Sequence, residues 1–209
     1  MLPESPSPSI PPDIRIEPLP YEARLEPREL AQVDLVVIHC TELPDLAIAR
    51  EYGERVLYEL RADGSGGTGN SGHFYVDRDG SVHRWATLDR VAHHVRGYNA
   101  RSVGIELVNT GRYPDWLDSR RQAMDEPYTE AQMVALVALL RHLQAGLPSL
   151  RFIAGHEDLD TTEVAASDDA SLQVRRKRDP GPLFPWPRVL RSSGLQRFSP
   201  AQESDVGAT

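Results

Sequence analysis

The sequence predicts a single α/β domain, a central mixed β-sheet flanked by helices. Three observations carry this. Two almost unbroken apolar runs, residues 33–39 and 102–109, have the length and β-branched content of strands buried on both faces. Residues 73–85 read as a hairpin, with Asp79-Gly80 at the turn where positive φ is needed. Met133, Leu136, Leu140, Leu143 and Leu147 recur at helical spacing behind a Thr129/Gln132 capping box, and Gly146 and Pro148 close the helix.

At 209 residues the chain suffices for one domain with a real core and is short for two. Residues 1–20 are rich in proline and serine and are expected to form a disordered arm; residues 21–197 form the domain, and 198–209 a disordered tail. A formal net charge of -8 disfavours phosphate-dominated nucleic-acid binding and casual adhesion to anionic surfaces, so a small soluble substrate or a locally basic groove is expected. No window of apolar residues is long enough to span a bilayer, and residues 1–13 carry neither a basic nor an apolar signal region. Cytoplasmic residence is therefore expected, while routes of release that need no signal leave a periplasmic or extracellular location open. The single cysteine, Cys40, precludes an internal disulfide; it follows His39 on the strand, so the two should face opposite sides of the sheet, with Cys40 a buried structural thiol.

Taken in order, the first strand ends on His39, as a buried strand delivers a ligand or base. A helical pattern then runs over residues 43–60, with Leu46, Ala49, Tyr52, Val56 and Leu60 on one face and read as core. The run GSGGTGNSG, residues 64–72, contains the spacing GxGxxG, but a helix precedes it and a strand follows, the reverse of a dinucleotide fingerprint. It reads as a flexible loop bordering a site. If residues 88–95 are extended, His93 and His94 point opposite ways and at most one belongs to a site. Glu106 stands alone among Val103, Ile105, Leu107 and Val108, a carboxylate that is costly there unless it is paired or working. Residues 151–155 form a short strand that delivers His156, and a polar segment, 157–176, separates it from Asp179 at the rigid start of Asp-Pro-Gly-Pro.

His39, His156 and Asp179 together would leave a bound zinc with net positive charge and an open position, the pattern of a hydrolytic centre. Asp158 and Asp160 compete with Asp179 as the oxygen ligand. HExxH is absent, since Asp160 stands where its second histidine would be.

Five ordered motifs, VVIHCTE, SGHFYVDRDGSVHRW, VAHHVRGYNARSVGIELVN, FIAGHEDL and KRDPGPLFPW, resemble the zinc-dependent N-acetylmuramoyl-L-alanine amidases, whose superfamily includes peptidoglycan recognition proteins. The likeness covers residues 33–190 and is nearest to the bacterial cytoplasmic branch that acts on anhydro-muropeptides. It implies one zinc per chain on His39, His156 and Asp179, Glu106 activating the water, Lys177 steadying the oxyanion, and His94, Asn99 and Arg101 bordering the sugar and peptide groove. It also implies muropeptides as partners; no nucleic acid, membrane span or protein partner is expected. Departures are the long 157–176 segment, His93 in place of the family's tryptophan, and Gly72 where phage-type members place a tyrosine. The alternatives are an exported wall-lytic amidase and a peptidoglycan-binding module that does not cut.

Overall fold

The computed structural model describes residues 12–200, and their chain order is as follows. Strand β1 (Ile14–Ile16) and β2 (Leu35–Cys40) precede helix α1 (Leu46–Glu54), the hairpin β3 (Phe74–Val76) and β4 (Val82–Arg84), and β5 (Ser102–Leu107). Helix α2 (Glu130–Gly146) leads to β6 (Phe152–Gly155), the one-turn α3 (His156–Leu159), a small ribbon of β7 (Glu163–Ala165) and β8 (Gln173–Arg175), then α4 (Trp186–Ser193) and β9 (Gln196–Arg197). The main sheet has the order β1-β4-β3-β5-β2-β6-β9, and only its β3–β4 pair is antiparallel. This is the expected mixed sheet.

Strand alternation divides the sheet's faces. Val36, Ile38, Val103, Ile105 and Leu107 pack against Met133, Leu136, Leu139, Leu140 and Leu143 of α2, while Leu35 and Val37 face the other way. The α2 stripe and its Thr129/Gln132 capping box form as expected. Gln132 does more than cap: its Nε2 donates to the carbonyls of Val76 and Val108, pinning the helix start to two strand ends. Cys40 falls on the α2 side and is buried and free, and His39 falls on the opposite side.

Four expectations differ from the structure. The arm expected at 1–20 is ordered from residue 12: β1 runs parallel to β4, Leu19 N–H donates to the Trp85 carbonyl, and Leu19 is 3% exposed. The Ile-x-Ile pattern supplies an edge strand that the proline content hid; residues 1–11 lie outside the described residues. Likewise the expected tail begins too early, because Phe198 is buried between Tyr98 and Phe152 and its N–H donates to Ile153 O; residues 201–209 lie outside the description. Helix α1 ends at Glu54, not near Leu60. Arg55 turns extended, and Val56 and Leu60 are 57% and 58% exposed rather than core. The glycine run is no loose loop: Thr68 O accepts from both Leu57 N and Tyr58 N, so residues 55–61 and 64–72 close into a flap.

Candidate metal and catalytic site

Parallel strands deliver their C-terminal ends to one edge of the sheet, where open α/β sheets bind ligands. In the β2–β5 register His39 pairs with Glu106, and in the β2–β6 register Ile38 pairs with Gly155, the residue before His156. Paired residues on neighbouring strands share a face. The register therefore places His39 and Glu106 side by side, with Glu106 Oε1 3.9 Å from His39 Nδ1. His156 opens α3 beside them. Asp179 arrives from the far end of the 157–176 segment, and its carbonyl accepts from Glu157 N at 2.9 Å.

His39 Nδ1, His156 Nδ1 and Asp179 Oδ2 form a triangle with edges of 2.9, 3.0 and 3.1 Å. All three residues are buried. Burial pushes the His39 imidazole down to about 4 despite the hydrogen bond to Asp179 that opposes it. Burial pushes the Asp179 carboxyl up, but the charge of His156 and hydrogen bonds from both histidines outweigh it and hold it well below the usual range. Three lone-pair atoms aimed at one point need a proton or a cation between them. Ligands of a tetrahedral zinc, at about 2.05 Å each, stand roughly 3.3 Å apart, close to the observed edges. Asp179 Oδ1 is buried without a partner, another mark of a site that a ligand completes. The donor set fits zinc.

The competing carboxylates are otherwise engaged. Asp158 Oδ2 accepts from Gly155 N and from Arg197, and Asp160 is ion-paired with Arg176.

Glu106, 14% exposed at its side chain, is pushed up to about 8 by burial and then by Asp179, with Lys177 pulling the other way. Gly72 makes room for it, since a Cβ there would stand 2.9 Å from Glu106 Cγ. Glu106 thus fills the space next to the departure seen at Gly72.

Of the histidine pair, His94 reaches the cluster, its Nδ1 3.0 Å from His39 Nε2, and its Nε2 lies 3.2 Å from Ser102 Oγ. A Cβ on Gly104 would stand 2.6 Å from the His94 ring, so the glycine of β5 is what lets the imidazole pack against the strand. Asn99 works on the backbone: its Oδ1 accepts from His94 N and Val95 N and holds the turn that aims His94. Arg101 differs from expectation. Its guanidinium clasps Asp34, at the opposite end of β2 from His39, and lies over the Phe198 ring. It is absent from the groove wall because its strand position precedes β5 rather than follows it.

The site floors a cavity of about 710 Å³ whose wall includes Lys177, Arg176, Arg96, Asn99, His93 and Tyr58. Sequence reasoning missed a buried clamp behind it. Arg112 binds Glu42 through Nε at 2.7 Å and a second nitrogen at 2.9 Å, and also donates to the carbonyls of Arg175 and Arg176. It ties the chain just after His39 to the chain just before Lys177. The only local signal was a glutamate next to a strand end.

Three comparisons bear on this geometry. The chain matches the family model described as N-acetylmuramoyl-L-alanine amidase over residues 29–182, more than half its length. It is 31% identical over 127 residues to the 1,6-anhydro-N-acetylmuramyl-L-alanine amidase AmpD of Salmonella typhimurium, covering 56% of this chain and 54% of that one. The endolysin of Enterobacteria phage K11 is 34% identical over 85 residues, 41% of this chain and 52% of the phage protein. The chain thus spans about half the length of these curated relatives. Its fold is that of the Escherichia coli amidase AmiD, solved as a complex with anhydro-N-acetylmuramic acid-L-Ala-D-gamma-Glu-L-Lys. That match has a TM-score of 0.56 at 21% identity and covers 84% of this chain and 62% of that one. With the family model running from before β2 to just past Asp179, the chain belongs to the N-acetylmuramoyl-L-alanine amidase family.

Proposed function

We propose that this chain hydrolyses the amide between the lactyl group of N-acetylmuramic acid and L-alanine in peptidoglycan fragments, with the anhydro-muropeptides of cell-wall recycling as its substrates. The observation that carries this reading is the convergence of His39, His156 and Asp179, all buried, beside the raised-pKa carboxyl of Glu106 on the floor of one cavity. The anhydro sugar in the name of the AmpD relative and in the ligand of the AmiD complex supports the substrate class.

His39, His156 and Asp179 would hold zinc, which when bound polarises an amide carbonyl and lowers the pKa of a water towards about 7. The chain's own residues do the rest. Glu106 takes a proton from the attacking water and returns it to the departing alanine nitrogen; a divalent cation beside it favours its carboxylate form, the base required. The Lys177 ammonium offsets negative charge developing on the carbonyl oxygen. His94 fixes the His39 ring through the 3.0 Å contact to Nε2, the role of an outer partner of a metal ligand. Arg96 and Lys177 bring positive charge to the wall of the cavity, which suits the carboxylates of the peptide half on a chain of net charge -8.

The endolysin relative favours a second reading, action on intact wall. No helix among the described residues is long and apolar enough to cross a membrane. Mass spectrometry of products from soluble anhydro-muropeptides and from sacculi, each with and without chelator, separates the readings. Chelator-sensitive peptide release from the soluble substrate alone is expected. Release from sacculi would move the activity to the wall, and release from neither would leave a binding module.

A further inference from the structure

Alternate residues of β5 turn towards the cavity side of the sheet: Ser102, Gly104 and Glu106, since Val103, Ile105 and Leu107 pack on α2. Glu106 is the carboxyl beside His39, and Gly104 gives room to the His94 ring. Ser102 has had no task so far. Its side chain is fully buried at the start of the strand, where a hydroxyl is costly unless it is bonded. Its backbone is held from behind, because the buried Arg28 donates from one terminal nitrogen to the carbonyls of Ser102 and Asn99 at 2.7 and 3.0 Å.

The Ser102 hydroxyl stands between two groups, with its oxygen 2.8 Å from the Tyr98 carbonyl and 3.2 Å from His94 Nε2. A carbonyl only accepts, so the one hydroxyl hydrogen goes to Tyr98 O along the shorter contact. The Ser102 oxygen is then left to accept from His94. This requires the hydrogen of the neutral His94 ring to sit on Nε2, which leaves a lone pair on Nδ1. That lone pair lies 3.0 Å from His39 Nε2, which donates to it. The His39 hydrogen is thereby held on Nε2, and the bare Nδ1 faces His156 Nδ1 and Asp179 Oδ2. Run in reverse, the same chain of bonds would take the hydroxyl hydrogen off Tyr98 O. It would have His94 donate to His39 Nε2 and would push a hydrogen on His39 Nδ1 into the metal triangle.

From this ordered chain of donors we infer that Ser102 is a positioning residue: through the tautomers of His94 and His39, it presents the His39 Nδ1 lone pair to the metal. Ser102 meets neither metal nor substrate and acts through His94 alone. The inference rests on the zinc reading of His39, His156 and Asp179, and it gives that reading a direction of hydrogen bonding. One face of β5 then carries three tasks in alternate positions: Ser102 sets the tautomer, Gly104 makes the space and Glu106 serves as the base.

The test is imidazole-nitrogen NMR of the zinc-loaded protein with isotope-labelled histidines, together with zinc affinity from chelator competition. In the unmutated protein both His94 and His39 should show the pattern of a ring protonated at Nε2. Ser102→Ala should lose that single pattern at His94 and bind zinc about tenfold more weakly, the lower end of the loss for an outer partner of a metal ligand. Ser102→Thr, which keeps the hydroxyl, should retain both properties. A His94 ring protonated at Nδ1 in the unmutated protein overturns the proposal without any variant. Unchanged zinc affinity in Ser102→Ala overturns it too. Weaker zinc binding in Ser102→Ala with the His94 tautomer unaltered does the same, because Ser102 would then only brace the turn at Tyr98. If the unmutated protein binds no zinc, the metal reading and this relay fall together, whereas zinc bound beside the wrong His94 tautomer sinks the relay alone.

Discussion

Removing the Arg112 guanidinium should damage both the fold and the metal site, and the two effects can be measured apart. The Arg112 side chain is 1% exposed and that of its partner Glu42 is 7%. The pair is two-pronged, and the same guanidinium satisfies the carbonyls of Arg175 and Arg176 at 2.9 and 3.2 Å. Arg112→Ala leaves a buried carboxylate without its counter-charge, a change that costs about 3–5 kcal/mol. Two freed carbonyls add to that cost. The same change releases the chain before Lys177 and Asp179, so zinc affinity of the folded protein should fall as well. Urea denaturation of the metal-free protein reads the first effect, and competition with a chromophoric chelator under native conditions reads the second. The double variant Glu42→Gln/Arg112→Met carries no stranded charge and should recover much of the stability but not the zinc affinity. A loss below about 1 kcal/mol in Arg112→Ala, beneath the range expected for a broken buried pair, would refute the burial argument. Unchanged zinc affinity in the folded variant would refute the claim that the clamp positions the site.

Other expectations follow from the same geometry. Glu106→Gln should lower turnover by roughly 10²–10⁴-fold, the usual range for a positioned general base, with zinc content unchanged; full activity by product analysis would remove Glu106 from the mechanism. His94→Ala should weaken zinc binding about 10–100-fold by freeing the His39 ring, and an unaltered affinity in chelator competition would leave His94 without that role. His73, whose ring stands 5.7 Å from that of His94, gives a pH prediction. Its Nδ1 accepts from Gly104 N and its Nε2 lies 3.0 Å from Arg90 O; burial, then the Arg28 guanidinium, pushes its pKa down to about 3. The unfolded chain therefore binds the proton first, and His73 contributes stability that is present above about pH 6.5 and lost as pH falls towards about 3, close to 2 kcal/mol of it between pH 7 and pH 5. Urea midpoints at the two pH values should show a smaller difference in His73→Gln than in the unmutated protein; an equal difference would assign the acid lability elsewhere.

What the sequence determined by itself lies where one strand or one helix carries the signal. The apolar run that ends on His39, the lone carboxylate in β5 and the α2 stripe with its cap each rest on residues a few positions apart, because burial of one face imposes a period that local sequence must obey. The pairing of His39 with Glu106 is different. Each was legible alone, but their contact depends on the β2–β5 register. The choice of Asp179 over Asp158 and Asp160 was likewise made by tertiary neighbours, since Arg197 and Arg176 occupy the other two. Tertiary structure also moved Arg101 from the groove to Asp34, drew Ile14–Ile16 onto the sheet edge, and turned a presumed core segment and loose glycine loop into a ledge with an exposed apolar rim. In most of these cases the deciding partner lies well outside the local window, 67 residues away for Arg101 and Asp34. Local periodicity reports which face of an element is buried, but only the packed sheet decides which distant side chain that face meets.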